Sequence, residues 1–199
     1  YYYDYVLRLR IYLYRGWYVL YYKAFKDAGA DRFLLRHETR NDEHYAYLHP
    51  SNMSSENRRD CLFTLKKLGF QTGSGMMIGS PGQTVEHLYE DIRFLEELEP
   101  QMIGIGPFLP ATNTPFENCS PGTVEQTILM VSLLRLRFPK ALLPATTALA
   151  TLCPNGMERA ILAGANVVMP NVSPIEQRKK IKYIGATATI ADYKKHIRG

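Results

Sequence analysis

Cysteine is scarce: 199 residues hold three, Cys61, Cys119 and Cys153, and no two form a C-x-x-C pair. That scarcity excludes a disulfide scaffold, and the wide spacing excludes a zinc site built from neighbouring ligands. No apolar run approaches the ~20 residues that cross a bilayer, so no membrane partner is expected. There is no G-x-x-x-x-G-K-[ST] loop for nucleotide phosphates. The cluster "GSGMMIG" is G-x-G-x-x-x-G inside an apolar strand pattern, not G-x-G-x-x-G opening a helix, which argues against a dinucleotide site. No secretory leader is recognisable. The N-x-S triplets at Asn52, Asn118 and Asn171 therefore read as chance matches, and the expected compartment is the cytoplasm.

What is present fits one globular domain with room for a sizeable core: 46% hydrophobic and 22% charged residues. The net charge of +5 suits an anionic ligand, although such an excess is ordinarily a solvated surface. The N-terminus differs from the rest. Its first 22 residues hold nine of the 14 tyrosines, interleaved with arginine, and "VLRLRIYLY" alternates like an exposed strand. Aromatics among arginines can stack on single-stranded nucleic acid. Nothing else in the chain supports that partner, so none is expected.

From Tyr22 onward a regular rhythm sets in. "YYKAFKDAGA" is a short helix stopped at Gly29, and "RFLL" is the strand after it. Ser54 or Ser55 opens a helix through Leu68, stopped by Gly69, and "QTGSGMMI" is the next strand. Thr84, with His87 three places on, opens "VEHLYEDIRFLEEL", where Val85, Leu88, Ile92, Leu95 and Leu98 share one face. The strand "QMIGIG", the helix "TVEQTILMVSLLRLRF", the strand "ALLPATT", the helix "NGMERAILAGA", the strand "NVVMP" and the helix "SPIEQRKKIKYI" complete the series. Five strands separated by helices predict an α/β fold with a parallel sheet of right-handed βαβ units, either doubly wound or part of a (β/α) barrel. Polar residues fall repeatedly just after strands: Arg36 and Glu38, the "GSPGQT" turn, Thr146 and Thr147, and Asn171. In a barrel these positions share the C-terminal face, where barrel enzymes keep their active sites.

Arg36 and Glu38 lie two apart and point the same way in an extended chain. They suit a polar clamp, with the guanidinium for an anion and the carboxylate for hydroxyl or ammonium donors. The alternative is an ion pair that closes the barrel top. His37 points oppositely and reads as structural. "HETRNDEH" lacks the i, i+4 histidine spacing of helical zinc enzymes. Thr146 and Thr147 can donate two hydroxyls to an anion, or serve as a helix cap or turn. Met77, Met102 and Met169 each lie near a strand end, as core packing or as the lining of an adenine or other soft ligand.

Taken together and in order, "FLLRHET", "LHP" with "SSENR", "GFQTGSGMMIGSPGQT", "EDIRFLEEL", "MIGIGPFLP", "PATTALATL" and "AGANVVMPN" closely resemble the radical-SAM maturases of iron-only (FeFe) hydrogenase, the HydE family. The resemblance runs from about Tyr22 to Arg178. "RHET" with "PATTAL" separates it from biotin synthase and methylornithine synthase, the related radical-SAM families. It implies a (β/α)8 TIM-type barrel holding a 4Fe–4S cluster and S-adenosylmethionine at its mouth. Reductive cleavage there gives methionine and a 5′-deoxyadenosyl radical, used to build the organometallic precursor of the hydrogenase cluster. By the same resemblance, Glu38 meets the ribose and methionine end of SAM and Arg58 holds the methionyl carboxylate. Met77, in "MMIGSPGQT", lies beside the adenosyl group. Arg36, Thr146, Thr147 and Met169 line the floor for a substrate or anion. Implied partners are a small-molecule substrate or organometallic precursor and other hydrogenase maturases.

The match also has gaps. The family's C-x-x-x-C-x-x-C cluster motif is absent. Five strands correspond to about strands four to eight, leaving a partial barrel. Where the family usually has His-Pro-Asp after "GPF.P", this chain has Ala111, Thr112 and Asn113, and two C-terminal tyrosines are replaced by Ile181 and Ile184. The expected organisation is an atypical Tyr/Arg-rich segment over 1–21, a partial barrel over 22–182 and a divergent tail over 183–199. The expected function is that of a HydE-like radical-SAM fragment, inactive alone. Alternatives are a non-catalytic ligand-binding or assembly remnant, a biotin synthase-like or methylornithine synthase-like enzyme, and a barrel enzyme for a phosphorylated metabolite.

Overall fold

Alternation along "RFLLRHE" sorts the first strand into two faces. In the computed structural model, which describes residues 17–168, Phe33 turns outward and meets Tyr22 and Phe70 edge-on, with ring centroids 5.2 and 6.0 Å away. Leu35 packs into the same outer layer. Leu34 turns the other way, over Gly73 and Gly104, and stays 44% exposed. At this strand the outer face is covered, while the inner one is left partly open at Leu34.

The helices are α1 (Trp17–Asp27), α2 (Asp42–Leu48), α3 (Ser55–Lys67), α4 (Val85–Leu98), α5 (Val124–Arg137), α6 (Thr147–Leu152) and α7 (Gly156–Leu162). The strands are β1 (Arg32–Leu34), β2 (Gln71–Ser74), β3 (Met77–Ile78), β4 (Met102–Ile103), β5 (Gly106–Pro107), β6 (Pro144–Ala145) and β7 (Val167–Val168). Every pairing is parallel: β1 with β2, β2 with β4, β3 with β5, and β6 with β7. A bridge from Met102 to Leu142 joins the third line to the fourth. β2 and β3 are one line interrupted at Gly75 and Met76, and β4 and β5 one line interrupted at Gly104 and Ile105. At the interruption a Cβ on Gly75 would stand 1.8 Å from the Gly104 carbonyl oxygen, so only glycine lets the two lines approach there. The result is five parallel lines with helices on one side, a partial (β/α) barrel.

Capping explains most of the helix boundaries. Ser54 accepts from the Asn57 amide at the start of α3, and Gly69, at φ 77°, follows its end. Thr84 and His87 form a reciprocal capping box on α4. The expected face of α4 packs inward from Leu88 onward, with Leu88 and Ile92 against the core and Leu95 and Leu98 buried, while Val85 at its start is 76% exposed. Asp91 and Phe94 are buried beside that face, where His37 hydrogen-bonds Asp91 and packs against Phe94. Two short helices were not foreseen. Asn41 opens α2 by accepting from the His44 amide at 3.0 Å, and α6 starts inside the stretch read as the end of a strand. α1 begins at Trp17, four residues ahead of the expected start. The predicted helix "SPIEQRKKIKYI" and the alternating segment "VLRLRIYLY" lie outside the described residues.

The main core lies between α4, α5 and α7 and the last four strand lines, around Met76, Leu95, Ile103, Leu134 and Leu143. A second cluster, Tyr18, Tyr22, Cys61, Leu65 and Phe70, fixes α1 and α3 to the outer face of β1. No helix among the described residues is long and apolar enough to cross a membrane.

Candidate functional site

The site begins where the first strand line runs out. His37 is buried on the outer side, with Nδ1 3.0 Å from Ser74 Oγ and Nε2 3.2 Å from Asp91 Oδ1, which is the structural role expected of it. Its neighbours on either side, Arg36 and Glu38, meet each other instead. Arg36 Nη2 lies 3.3 Å from Glu38 Oε2, and both side chains are about a fifth exposed. The ion pair leaves one donor over: Arg36 Nε is buried without a hydrogen-bond partner among the described residues, while Nη2 is held only by Glu38. Glu38 has φ 71°, a left-handed conformation rare for a residue with a side chain. Its amide donates to the Gly75 carbonyl at 3.1 Å, and its own carbonyl accepts from the Met77 amide at 3.3 Å.

Arg58 reaches this strand end from α3. Its Nη1 donates to the Arg36 carbonyl at 2.9 Å and its Nε to the Tyr45 hydroxyl at 3.0 Å. Tyr45 is buried and stacks on His49, with centroids 3.9 Å apart and planes 8° from parallel. Burial pushes the Tyr45 hydroxyl up, against the lowering pull of Arg58. Burial also holds His49 below the ordinary imidazole range, and does the same to His44, whose Nε2 lies 3.0 Å from the Pro81 carbonyl oxygen in the turn after β3.

The remaining strand ends continue the rim. Met77 pairs with Gly106, and a Cβ on Gly106 would sit 3.0 Å from Thr146 Oγ1. Thr146 occupies the N-cap position of α6 without a side-chain capping bond, and its hydroxyl is buried and unpartnered among the described residues. The cap reading of this threonine is thereby set aside. Thr147 is the first residue of α6, and its carbonyl accepts from the Thr151 hydroxyl. Contacts and strand pairing thus link Arg58, Arg36, Glu38, Met77, Gly106 and Thr146 in one series along the C-terminal ends of adjacent strands. Met169 and Asn171 lie outside the described residues.

A recess of about 620 Å³ lies elsewhere, along the outer side of α4 among Arg40, Tyr89, Glu90, Arg93 and Glu97. It is an open groove in which several charges are paired, Arg93 with Glu96 and Glu90 with Asn41. Among the described residues the buried Arg36 Nε and Thr146 hydroxyl, both without a hydrogen-bond partner, lie instead at the strand ends, where a ligand gains most. A smaller cleft of about 40 Å³ marks the inner face between Leu34, Gly73, Met102 and Leu142.

An iron–sulfur cluster does not fit the residues present. Cys61 is buried beneath α1, where burial pushes its thiol up, away from the thiolate a metal needs. Among the described residues no group of three or more His, Cys, Asp or Glu is placed to hold a metal ion. What the rim does offer is a carboxylate, two guanidinium groups and a hydroxyl that is unpartnered among the described residues.

Sequence reasoning missed Tyr45, Ser74 and Asp91. Tyr45 gives no signal, since its partner is thirteen places away. Asp91 does give one: it is a carboxylate on the otherwise apolar face of Leu88, Ile92 and Leu95.

No family model matches the chain. It is 48% identical over 159 residues to the [FeFe] hydrogenase maturase subunit HydE of Thermotoga maritima, covering 80% of this chain and 45% of that protein. It is 30% identical over 154 residues to a 3-methylornithine synthase of Methanosarcina acetivorans, covering 76% and 43% respectively. The crystal structure of methylornithine synthase (PylB) superposes on 75% of this chain and 43% of its own, with a TM-score of 0.67 at 27% identity. The chain spans less than half the length of these relatives. It belongs to the HydE-like branch of the biotin-synthase-like radical-SAM proteins and corresponds to the C-terminal portion of their barrel.

Proposed function

We propose that this chain forms the S-adenosylmethionine-gripping and substrate-facing part of a maturase of FeFe-hydrogenase, and that it is inactive alone because it lacks the cluster cysteines. One observation carries the reading. At a single strand end, a part-buried guanidinium whose Nε has no partner among the described residues ion-pairs with a carboxylate held in a left-handed backbone, in series with a Thr146 hydroxyl that is likewise unpartnered among the described residues. Buried polar groups of this kind are costly unless a ligand completes them.

In this reading Glu38 accepts from the ammonium and ribose donors of S-adenosylmethionine. Arg58, with two of its five N–H groups committed to Tyr45 and Arg36, offers the rest to the carboxylate. Met77 lies alongside the adenosyl group. Arg36, Thr146 and Thr147 face the anionic part of the substrate, with Met169 beside them. The residues here would bind and orient S-adenosylmethionine and exclude water, and the radical chemistry is not theirs. Other hydrogenase maturases are the natural partners, and the cytoplasm the natural compartment.

Isothermal titration with S-adenosylhomocysteine in aerobic buffer tests the grip. Saturable binding that weakens at least tenfold in Glu38→Gln is expected. Absence of binding, or binding indifferent to Glu38→Gln, overturns the assignment. Anaerobic iron–sulfur reconstitution should give no 4Fe–4S spectrum with this chain. A spectrum with S-adenosylmethionine cleavage would show that the loss of activity is wrongly assigned.

A further inference from the structure

We infer that Asp91, acting through His37 and the Arg40 amide, is a positioning residue that holds Glu38 aimed into the strand-end site. The inference rests on the reading of Glu38 as a ligand-holding carboxylate.

Asp91 sits on α4 at 0% exposure, where an apolar side chain would continue the stripe of Leu88, Ile92 and Leu95. A carboxylate in that place is costly unless its bonds achieve something a leucine cannot. Its Oδ1 collects two donors from the segment that bends around Glu38. One is the Arg40 amide at 2.5 Å; the other is His37 Nε2 at 3.2 Å. The two contacts bracket residue 38, one place before and two places after it. His37 is fixed at its other nitrogen by Ser74 Oγ, 3.0 Å away, and edge-on by Phe94 at 4.9 Å. The clamp therefore pulls residues 37 and 40 onto the outer helix, and residue 38 has only the inner side left to it.

Glu38 has φ 71°, and a residue with a side chain adopts the left-handed region only when its surroundings impose it. Its own backbone bonds, to Gly75 and from Met77, tie it to β3 but do not choose which way the turn bends. The bracket from Asp91 does. Asp91 Oδ2 meets no partner among the described residues, so the carboxylate is not the hub of a wider polar network. Its geometry serves the turn alone.

Amide hydrogen exchange, followed residue by residue, tests this on the whole chain. In Asp91→Ala the Glu38 and Arg40 amides should exchange at least tenfold faster, while those of Leu35 and Gly104, bonded to Gly73 and Ser74, keep their protection. S-adenosylhomocysteine affinity should fall at least tenfold in the same variant. Asp91→Asn keeps an oxygen for the Arg40 amide and should restore both readings to within about threefold of the parent. A role in packing alone predicts the opposite: no local change at Glu38 and no rescue by asparagine. A Glu38 amide that exchanges in Asp91→Ala as in the parent overturns the inference. If Asp91→Ala does not fold, His37→Gln decides by the same two amides and the same criterion. A Glu38 amide that responds in a chain that binds no S-adenosylhomocysteine upholds the positioning and overturns the proposed function instead.

Discussion

Arg58 Nη1 donates to the carbonyl of Arg36 while Nε of the same guanidinium donates to the Tyr45 hydroxyl, so one side chain fastens α3 and α2 to the end of the first strand line. The ring of Tyr45 lies under the guanidinium, 5.8 Å from its centre. A planar fork can make both bonds at once and a lysine cannot. Arg58→Lys should therefore cost about 1–3 kcal/mol of stability, the range for hydrogen bonds to charged groups, and lower the affinity for S-adenosylhomocysteine as well. Denaturant unfolding and titration calorimetry read the two effects separately. An unchanged midpoint would mean that the fork is incidental to the fold.

Thr146 should show the reverse pattern. Its hydroxyl is buried and unpartnered among the described residues, and it makes no cap bond that a substitution would remove. Thr146→Val keeps the shape and removes the unsatisfied group. Stability is expected to hold or to rise by up to ~1 kcal/mol, while affinity for an anionic ligand drops roughly fivefold to thirtyfold. A variant that loses stability would show that the hydroxyl is satisfied within the protein, and that its place in the ligand site is wrong.

Fold and site were legible to different depths. The five strand lines could be read because glycines and caps punctuate them: Gly69 after α3, and Thr84 with His87 before α4. The strand-end placement of Arg36, Glu38 and Thr146 followed from their position just after apolar runs. What could not be read was anything set by tertiary partners. Val85 satisfied the helical period and still came out exposed, because it is the first residue of α4 and nothing among the described residues packs over that end, while Leu88, Ile92, Leu95 and Leu98 turn inward as expected. Nor does sequence spacing relate Tyr45 to Arg58, or Gly106 to Thr146. Those pairs exist only once the parallel register is set.

Acid should loosen the structure before its carboxylates titrate. His44 and His49 both have folded pKa values held below 6.5 by burial, so each stays neutral in the fold while the unfolded chain takes up a proton. Their contribution is complete above pH 6.5 and is lost as pH falls below it, until the folded imidazoles also protonate. Asp42, paired with Arg59, has its pKa lowered, and its contribution fades only at more acid pH, below the unfolded carboxylate value. The melting temperature should thus fall as pH drops below about 6.5, and the double variant His44→Gln with His49→Gln should flatten that slope. A slope unchanged in the double variant would place the acid sensitivity elsewhere.

Leu34 shows what a partial barrel leaves undone. It stands over Gly73 and Gly104 on the inner face, where the added bulk of any other side chain on Gly73 would strike its Cδ1 at 2.7 Å, so the face is shaped for it; yet it remains 44% exposed. Full burial of a leucine is worth roughly 1.5–3 kcal/mol, and a good part of that is unrealised here. β1 is also the terminal strand of its sheet among the described residues, with one edge unpaired. An apolar inner face beside an open parallel edge favours association, so light scattering at micromolar concentrations should show oligomers or falling solubility as concentration rises. Leu34→Lys should reduce that association and shift stability by less than ~1 kcal/mol, because the position is already half solvated. A parent chain that stays monomeric and melts cooperatively across the same range would show that the inner face is closed by some other means.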